Sequence, residues 1–169
     1  MSAIEFVKRM VKFTRIFRER AFQSLKVNGC NDLSFRPSTG MSSIGWILAH
    51  QAAVYDFVLN MLILEKPLKY PDFFESYSGG DSKQGDWIET PLEEIEDYLE
   101  STERDFLNWV ENIPNGEMYR TLDDSCVSQY HQGMAIIDVI ADMFAHLNHH
   151  NGHLSAINGD WCRQQKQAL

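Results

Sequence analysis

Residues 134–157, with the sequence MAIIDVIADMFAHLNHHNGHLSAI, carry the clearest information about the fold. Their apolar side chains recur every three or four positions, which is the spacing of one face of an α-helix. Asn158-Gly159 follows as a helix-terminating pair. The stretch therefore predicts a helix from about Met134 to Ile157, and its apolar face is formed by Ile136, Ile140, Met143, Leu147 and Leu154.

Two stretches upstream show the same periodicity. One runs from Ile4 to Leu25, and the other starts near Ser42–Ser43, after Gly40, and reaches about Glu65 before Pro67 ends it. The apolar side of the first stretch contains Val7, Met10, Val11, Phe17 and Ala21. We expect its opposite side to face solvent, with Lys8, Lys12, Arg15 and Arg18.

A further helix has a clear predicted start. Thr90 fits an N-cap, Pro91 fits the first helical position, and Glu93 would complete a capping box. The helix is expected to end before Pro114-Asn115-Gly116. Eight acids between Glu93 and Glu111 are expected on its solvent side, and its apolar face consists of Leu92, Ile95, Leu99, Phe106, Val110 and Ile113.

Four helices of about twenty residues each predict an all-α protein, a four-helix bundle. A length of 169 residues is typical of one domain, so we expect a single domain over residues 1–169. The segment Lys66–Thr90 is too long for a simple hairpin, and at about 3.3 Å per residue it can cross a helix about 30 Å long. An up-down-down-up order with a long connection between helices 2 and 3 is therefore predicted, while a long ordered loop on an antiparallel pair stays open.

Charge and cysteine usage exclude several classes of protein. The 15 Lys and Arg residues against 24 Asp and Glu residues give a net charge of −9. General nucleic-acid binding depends on basic residues that neutralise phosphates, so this balance argues against it. The cysteines, Cys30, Cys126 and Cys162, are widely spaced and form no C-x-x-C motif. A disulfide framework and a thiolate zinc site are both disfavoured.

No targeting or membrane segment is evident. Charged residues interrupt the apolar residues between Ile4 and Phe17, so no continuous signal-like region exists there. The longest apolar run, Phe57 to Leu64, is far shorter than the roughly 20 residues of a membrane span. We predict a soluble cytoplasmic protein with no membrane partner.

The histidines carry the most information about function. Four of the six fall within eight residues, and residues four apart on a helix can share one metal ion. His150 lies about 40° and His146 about 80° from the centre of the apolar arc. His149 and His153 lie further toward the expected solvent side. The inward pair is therefore His146 and His150.

His50 lies on an apolar stripe of the second helix, with Trp46, Val54, Phe57 and Met61. A buried histidine needs partners for its ring nitrogens, so His50 taken alone fits a hydrogen-bonded core residue. Together with His146 and His150, it completes three inward imidazoles. Three nitrogen ligands leave positions open for water or substrate, as in catalytic metal sites.

Other candidate residues and motifs are less informative. His131 is expected to be solvated or to lie at a helix start, and Asp142 fits either a carboxylate that supports His146 or a surface position. The sequence contains no H-E-x-x-H zinc motif and no E-x-x-H pair of the di-iron bundles. Glycine-rich phosphate loops, G-x-S-x-G elbows and EF-hand loops are also absent from it.

Two segments of the chain resemble the DinB-like (DinB/YfiT) superfamily of four-helix-bundle metalloproteins. These are Met41-Ser-Ser-Ile-Gly-Trp-Ile-Leu-Ala-His50 and His146-Leu-Asn-His-His150-Asn-Gly-His153-Leu, preceded by the similar lead-in Leu33-Ser-Phe-Arg-Pro37. The resemblance covers nearly the whole length. After His150 the family often has Arg-Gly-Gln, whereas this chain has Asn151-Gly152-His153, so no role of that arginine or glutamine carries over.

The resemblance implies a fold, a cofactor and a class of reaction. A divalent metal ion, most often nickel or zinc, would be bound by His50, His146 and His150. The bundle would have up-down-down-up order and form a homodimer. Some members of the family are transferases that join a low-molecular-weight thiol to an electrophile.

Two classes of function follow. In the first, the protein is a metal-dependent enzyme whose small-molecule partners are a thiol and a small electrophile; hydrolysis by a metal-activated water is the closest variant. In the second, it is a non-catalytic dimeric binding module in which the three histidines form a buried polar network. Neither class implies a nucleic-acid partner, and no catalytic residue beyond the metal ligands is assigned.

Overall fold

The computed structural model describes residues 2–37, 41–79, 90–114, 116–123, 126 and 128–167. Five α-helices occur in these residues: α1 (Ala3–Val27), α2 (Ile44–Asp56), α3 (Pro71–Tyr77), α4 (Leu92–Asn112) and α5 (Ile136–Gln167). α2 continues as a π-helical segment, Phe57–Ile63, and short 3-10 turns lie at Glu117–Tyr119 and Gln129–His131. No β-strand occurs in the described ranges, which confirms the all-α class.

Serine side chains begin the first two helices. Ser2 and Glu5 form a reciprocal capping box at the start of α1. The hydroxyl of Ser43 accepts a hydrogen bond from the backbone N–H of Trp46, so α2 begins where the sequence predicts. The helical segment after α2 ends before Glu65, whose backbone is left-handed with φ of 53°. This end is close to the predicted one.

The predicted capping box at α4 is wrong. The hydroxyl of Thr90 lies 2.6 Å from the hydroxyl of Tyr77, and Pro91 is the N-cap residue, without a side-chain capping bond. A tertiary hydrogen bond to α3 has replaced the local one. The predicted apolar face of α4 is buried except for the partly buried Leu92, and it contains Ile95, Leu99, Phe106 and Val110. Thr102 and Glu103, which were not predicted on this face, are also buried.

Part of the predicted connection between the second and third long helices is itself helical. The carboxylate of Asp56 accepts hydrogen bonds from the backbone N–H groups of Lys69 and Tyr70, at 3.0 and 2.9 Å. These bonds fix the chain just before Pro71, which opens α3. Predictions that concern Gly40, Asn115 and residues 80–89 of the connection lie outside the described residues.

α5 is longer than predicted and continues through Asn158-Gly159 to Gln167. The side-chain amide of Asn28 donates to Oδ1 of Asn158 at 2.9 Å, and Nε1 of Trp161 donates to the carbonyl of Asn28 at 2.8 Å. The Trp161 ring also packs edge-on against Phe35, with centroids 4.9 Å apart. These contacts offset the cost of about 1 kcal/mol for glycine inside a helix.

The face that α1 buries differs from the predicted one at Met10, Phe17 and Arg18, and Met10 is only partly buried. The side chains that α1 buries are Val7, Val11, Thr14, Arg18, Ala21 and Leu25, spaced alternately three and four apart. Arg18, predicted to face solvent, therefore points inward and is 7% exposed, whereas Phe17, predicted to point inward, is 52% exposed.

A polar cluster, which we call the ionic network, joins the four long helices. Glu103 on α4 is 1% exposed, contrary to its predicted solvent position, and its carboxylate accepts a hydrogen bond from Arg18 at 2.9 Å. Arg18 also donates to Gln51 at 3.3 Å, and Gln51 donates to Asn151 at 2.9 Å. Asn151 donates to the carbonyl of Thr14 at 3.1 Å. Partners on α1, α2, α4 and α5 thus satisfy one another inside the bundle.

The segment Ile44–Ile63 is long and apolar enough to cross a membrane, and it is the one such helix among the described residues. However, 78% of its apolar window is buried inside the structure. Core helices of soluble proteins have these features, so the segment is consistent with a soluble protein. The cytoplasmic location stays a prediction.

Candidate metal centre

His50 lies in the middle of α2 and is 7% exposed. Its Nδ1 atom is 2.6 Å from the carbonyl oxygen of Tyr77, the last residue of α3. Because a carbonyl can only accept, this contact requires a proton on Nδ1 and leaves a lone pair on Nε2 of the neutral ring. A histidine that donates one ring nitrogen to a carbonyl in this way is oriented for metal binding through the other.

His146 and His150 approach His50 from α5, so the structure brings the three predicted side chains together. The Nε2 atoms of His50 and His146 are 2.8 Å apart. The centroid of the His150 ring lies 4.8 Å from that of His50 and 4.6 Å from that of His146. One nitrogen from each ring lies within 4.8 Å of the others, and we call this group the histidine triad.

Desolvation favours the neutral form of the histidine triad, most strongly at His50 and His150, which are each 7% exposed. The side chain of His146, predicted to point inward, is exposed. The pKa of His50 is lowered to about 4, mainly by desolvation and to a smaller extent by the His146 ring, while the hydrogen bond with Tyr77 acts in the opposite direction. Desolvation, followed by the effects of His50 and His146, lowers the pKa of His150 to about 3. The pKa of His146 is also lowered by desolvation, although Asp142 acts in the opposite direction. Neutral imidazole is the form that binds metal ions.

The donor set fits a divalent cation. Nε2 of His50 and Nε2 of His146, 2.8 Å apart, can share only one proton. Because Nδ1 of His50 is protonated, Nε2 of His146 donates and Nε2 of His50 accepts in the metal-free protein. In addition, Nδ1 of His150 is buried without a hydrogen-bond partner. The indole of Trp46 stacks on His50, with centroids 4.4 Å apart and planes inclined by 12°. A cation would use nitrogens that the protein alone leaves incompletely paired.

His149 and His153 form a second pair one turn apart, with ring centroids 4.2 Å apart, and each of these centroids lies 5.7 Å from that of His150. His149 is exposed and His153 is partly buried, as the helical periodicity predicts. Among the described residues, the histidine triad is the one group of three or more metal-binding side chains close enough to share an ion. Variants of His149 and His153 can therefore serve as controls for variants of the histidine triad.

A cavity of about 430 Å³ opens beside the histidine triad, and His50 and His146 form part of its wall. The rest of its wall is mainly apolar and comes from α2, the π-helical segment, α3 and α5. The π-helical segment supplies Phe57 and Val58 to this wall. Single π-helical turns are frequent at functional sites. A small molecule in this cavity would lie against two of the three histidines.

The structure corrects the expectation for His131. Its side chain is 14% exposed and lines the cavity, whereas solvation or a simple helix-start role was predicted. Its Nδ1 is 2.7 Å from the hydroxyl of Ser128, and its Nε2 is 3.6 Å from Oδ2 of Asp142. Asp142 lines the same cavity. Both residues therefore belong to the surroundings of the site.

Sequence reasoning missed the contribution of α3. Its last residue, Tyr77, holds His50 through a main-chain carbonyl, a group with no signature of its own in the sequence. The proline at the first position of α3 was an available signal, because Tyr70-Pro71-Asp72 has the pattern of a helix start. Recognising that helix would have placed an ordered element next to His50.

These features define a class of protein: an all-helical chain in which two buried histidines and one exposed histidine meet and could hold a metal ion. The comparison with family models agrees with that class. The model of the DinB superfamily matches residues 17–154, and the chain belongs to this superfamily. Neither the comparison with curated proteins nor that with solved structures gave a match.

Proposed function

We propose that His50, His146 and His150 bind one divalent metal ion, with nickel or zinc expected first. The observation that carries this proposal is the meeting of three neutral imidazoles, one of them oriented by the Tyr77 carbonyl, within 4.8 Å. Three protein nitrogens are the usual ligand count of catalytic rather than structural zinc sites. A bound divalent ion would lower the pKa of a thiol and so supply a thiolate at neutral pH.

We further propose that the protein is a transferase that joins a low-molecular-weight thiol to a small electrophile. In this reaction a sulfur–carbon bond forms, the bond from carbon to its leaving group breaks, and the thiol proton departs with the leaving group. The contribution of the chain is to orient His50 through Tyr77 and to hold the electrophile in the cavity, where the apolar wall excludes water. The proximity of cavity and histidine triad supports this assignment.

The metal site is tested by elemental analysis of the purified protein and of the variants His50→Ala, His146→Ala and His150→Ala. Each should lose most of the tightly bound metal. The double variant His149→Ala/His153→Ala is the matched control, because it removes two histidines with the same spacing from the same helix, and it should keep the metal content of the wild type. Equal metal content in all five proteins would refute the site.

The reaction is tested with metal-loaded protein, several cellular thiols and a chromogenic aryl halide. Thiol-dependent and metal-dependent colour change, lost in His150→Ala and kept in the double control variant, would support transfer. Metal-dependent ester cleavage without thiol would instead indicate the hydrolase. Metal binding without either reaction would support the non-catalytic module.

We also propose the up-down-down-up order of the four long helices, α1, α2, α4 and α5. Two contacts between α1 and α4 support it: Lys8 meets Glu111 near one end, and Arg18 meets Glu103 near the middle of both helices, which is the pattern of antiparallel α1 and α4. The starts of α2 and α4 would then share one end of the bundle. Spin-label distances between Ser42 and Glu94 should be shorter than those between Ser42 and Asn112.

We also propose that the protein forms a homodimer. Light scattering in solution, which measures the molar mass of the particle, tests this proposal.

A further inference from the structure

The cavity beside the histidine triad has a composition that specifies a class of ligand. Its apolar wall comes from four elements, and the rings of Phe57 and Phe74 stack within it, with centroids 5.4 Å apart and planes inclined by 17°. Parallel aromatic rings offer a flat face to a planar ligand. A volume of about 430 Å³ is at the lower end of the range for small-molecule sites.

The charged residues of the cavity wall restrict the class of ligand further. The described residues that line the cavity include no Lys or Arg, and Asp142 is the acidic residue among them. A carboxylate or phosphate on a ligand would lose its hydration without gaining a cationic partner and would approach an acidic side chain. The side chains of the cavity wall, taken without a bound metal ion, therefore disfavour anions and favour uncharged molecules.

The imidazole of His131, in the cavity wall, is placed to form a hydrogen bond with such a molecule. Nδ1 of His131 is paired with Ser128 at 2.7 Å, which fixes the ring. Its Nε2 lies 3.6 Å from Asp142, beyond hydrogen-bond distance, on a side chain that lines the cavity. The Nε2 atom can therefore exchange a hydrogen bond with a hydroxyl or carbonyl group of a bound molecule.

We propose that this cavity binds the uncharged aromatic part of the substrate, with His131 as the residue that hydrogen-bonds its polar substituent. The inference rests on the proposed function in one respect: it names the electrophile, rather than the thiol, as the occupant. An anionic thiol would have to reach the histidine triad from outside the cavity.

The test measures binding directly, by ligand-observed NMR titration of metal-free and zinc-loaded protein at pH 7.5. The probes are 4-methylphenol, which is uncharged, and 4-methylbenzoate, which has the same ring with a carboxylate. In the metal-free protein, the expected result is at least tenfold tighter binding of 4-methylphenol. In the zinc-loaded protein the ion itself can bind the carboxylate, so any gain in 4-methylbenzoate affinity there reports on the metal site. Equal affinity of the metal-free protein for the two probes would overturn the proposal.

The position of binding is tested with Val54→Phe, which adds bulk to a partly buried residue of the cavity wall. It should weaken 4-methylphenol binding at least tenfold. Val27→Phe is the matched control, because Val27 is 75% exposed at the end of α1, and it should bind like the wild type. Phe74→Leu, which removes one stacked ring with a smaller change in volume, provides a second cavity variant. Unchanged binding in both cavity variants would also refute the proposal.

The role of His131 is tested by His131→Phe with 4-methylphenol and toluene as probes. Loss of one hydrogen bond should weaken 4-methylphenol binding about two- to twelvefold and leave toluene binding unchanged. An equal loss for both probes would show that His131 only shapes the wall. Metal content is measured on every variant, so that loss of the metal site and loss of the ligand cavity are seen separately.

Discussion

The interior of the bundle contains two polar clusters in adjacent positions, and they are built in opposite ways. Gln51 of the ionic network follows His50 of the histidine triad, and Asn151 follows His150. The ionic network pairs its charged and amide groups with one another across four helices. At the histidine triad, by contrast, a ring nitrogen of His150 is buried without a partner.

This difference separates a structural role from a binding role. Fully paired buried polar groups add little net stability but are costly to break, and they can specify one arrangement of helices. Incompletely paired groups cost stability in the absence of a ligand and lose that cost when a ligand satisfies them. The ionic network should therefore determine folding, and the histidine triad should determine binding.

The largest expected effect is on the ionic network. Glu103→Leu leaves the buried guanidinium of Arg18 without its carboxylate, so the free energy of unfolding should fall by about 3–5 kcal/mol. Urea denaturation followed by circular dichroism measures this change. Glu96→Leu, on the exposed side of the same helix, is the control and should change stability by less than about 0.5 kcal/mol.

A double variant tests whether the loss of stability in Glu103→Leu comes from an unpaired buried charge. Arg18→Met/Glu103→Leu removes both buried charges and should recover most of the stability that Glu103→Leu loses. Arg15, which also pairs with Glu103, is 45% exposed and stays hydrated, so no unpaired charge stays buried. A double variant less stable than Glu103→Leu would contradict this view of the network. It would show that the ion pair itself contributes most of the stability.

Acidification should act mainly through the histidine triad in metal-free protein. The pKa values of His50 and His150, about 4 and about 3, lie below the usual value of about 6.5 that holds in the unfolded chain. Between these values the unfolded state binds more protons, so stability is full above pH 6.5 and falls as the pH drops toward 4. Each histidine contributes at most about 1.4 kcal/mol per pH unit.

Urea unfolding at pH 7, 6, 5 and 4.5, with chelator present, measures this dependence. His150→Leu should reduce the slope, whereas His149→Leu, at an exposed position, should leave it unchanged. Equal slopes in all three proteins would mean that the two buried rings do not cause the acid sensitivity.

His150→Leu also has a smaller effect at neutral pH that distinguishes the two clusters. Replacing a ring with an unpaired buried nitrogen by an apolar side chain should leave the metal-free protein at least as stable, with a gain of up to about 1 kcal/mol. His149→Leu is again the control. A loss above about 2 kcal/mol would show that the ring is well satisfied without metal and would weaken the case for a binding role.

Much of the fold and the candidate site was predictable from periodicity. The apolar face of α5 is buried as expected, and so is His150, one of the two histidines predicted to point inward. His146, the other, is exposed but still meets His50 and His150. The helical wheel also placed His50 on the inward side of α2. Such arguments succeed where a residue's environment depends on its own helix and on the regular 3.6-residue period.

The features that periodicity did not predict depend on residues that are distant in the chain. Glu103 belongs to an acidic helix surface by composition, and only the position of Arg18 on α1 explains its burial. The α5 extension likewise depends on contacts of Trp161 with Asn28. The main-chain carbonyl that holds His50 comes from α3. That helix was not predicted, because the segment around it is rich in turn-forming residues. Tertiary contacts of this kind override local preferences, and no spacing in one sequence reveals them.

The smallest expected effect concerns an ion pair of the same chemical type as Arg18–Glu103 but at the surface. Nζ of Lys8 lies 2.6 Å from Oε1 of Glu111, and the two side chains are 46% and 48% exposed. Lys8→Met should lower the free energy of unfolding by no more than about 0.5 kcal/mol relative to Lys12→Met, the same change at an exposed lysine one turn later, and 1 M salt should remove the difference. Urea denaturation at low and high salt checks this. A loss as large as that of Glu103→Leu would contradict the comparison between the exposed and the buried ion pair. It would show that an ion pair can matter equally for stability without being buried.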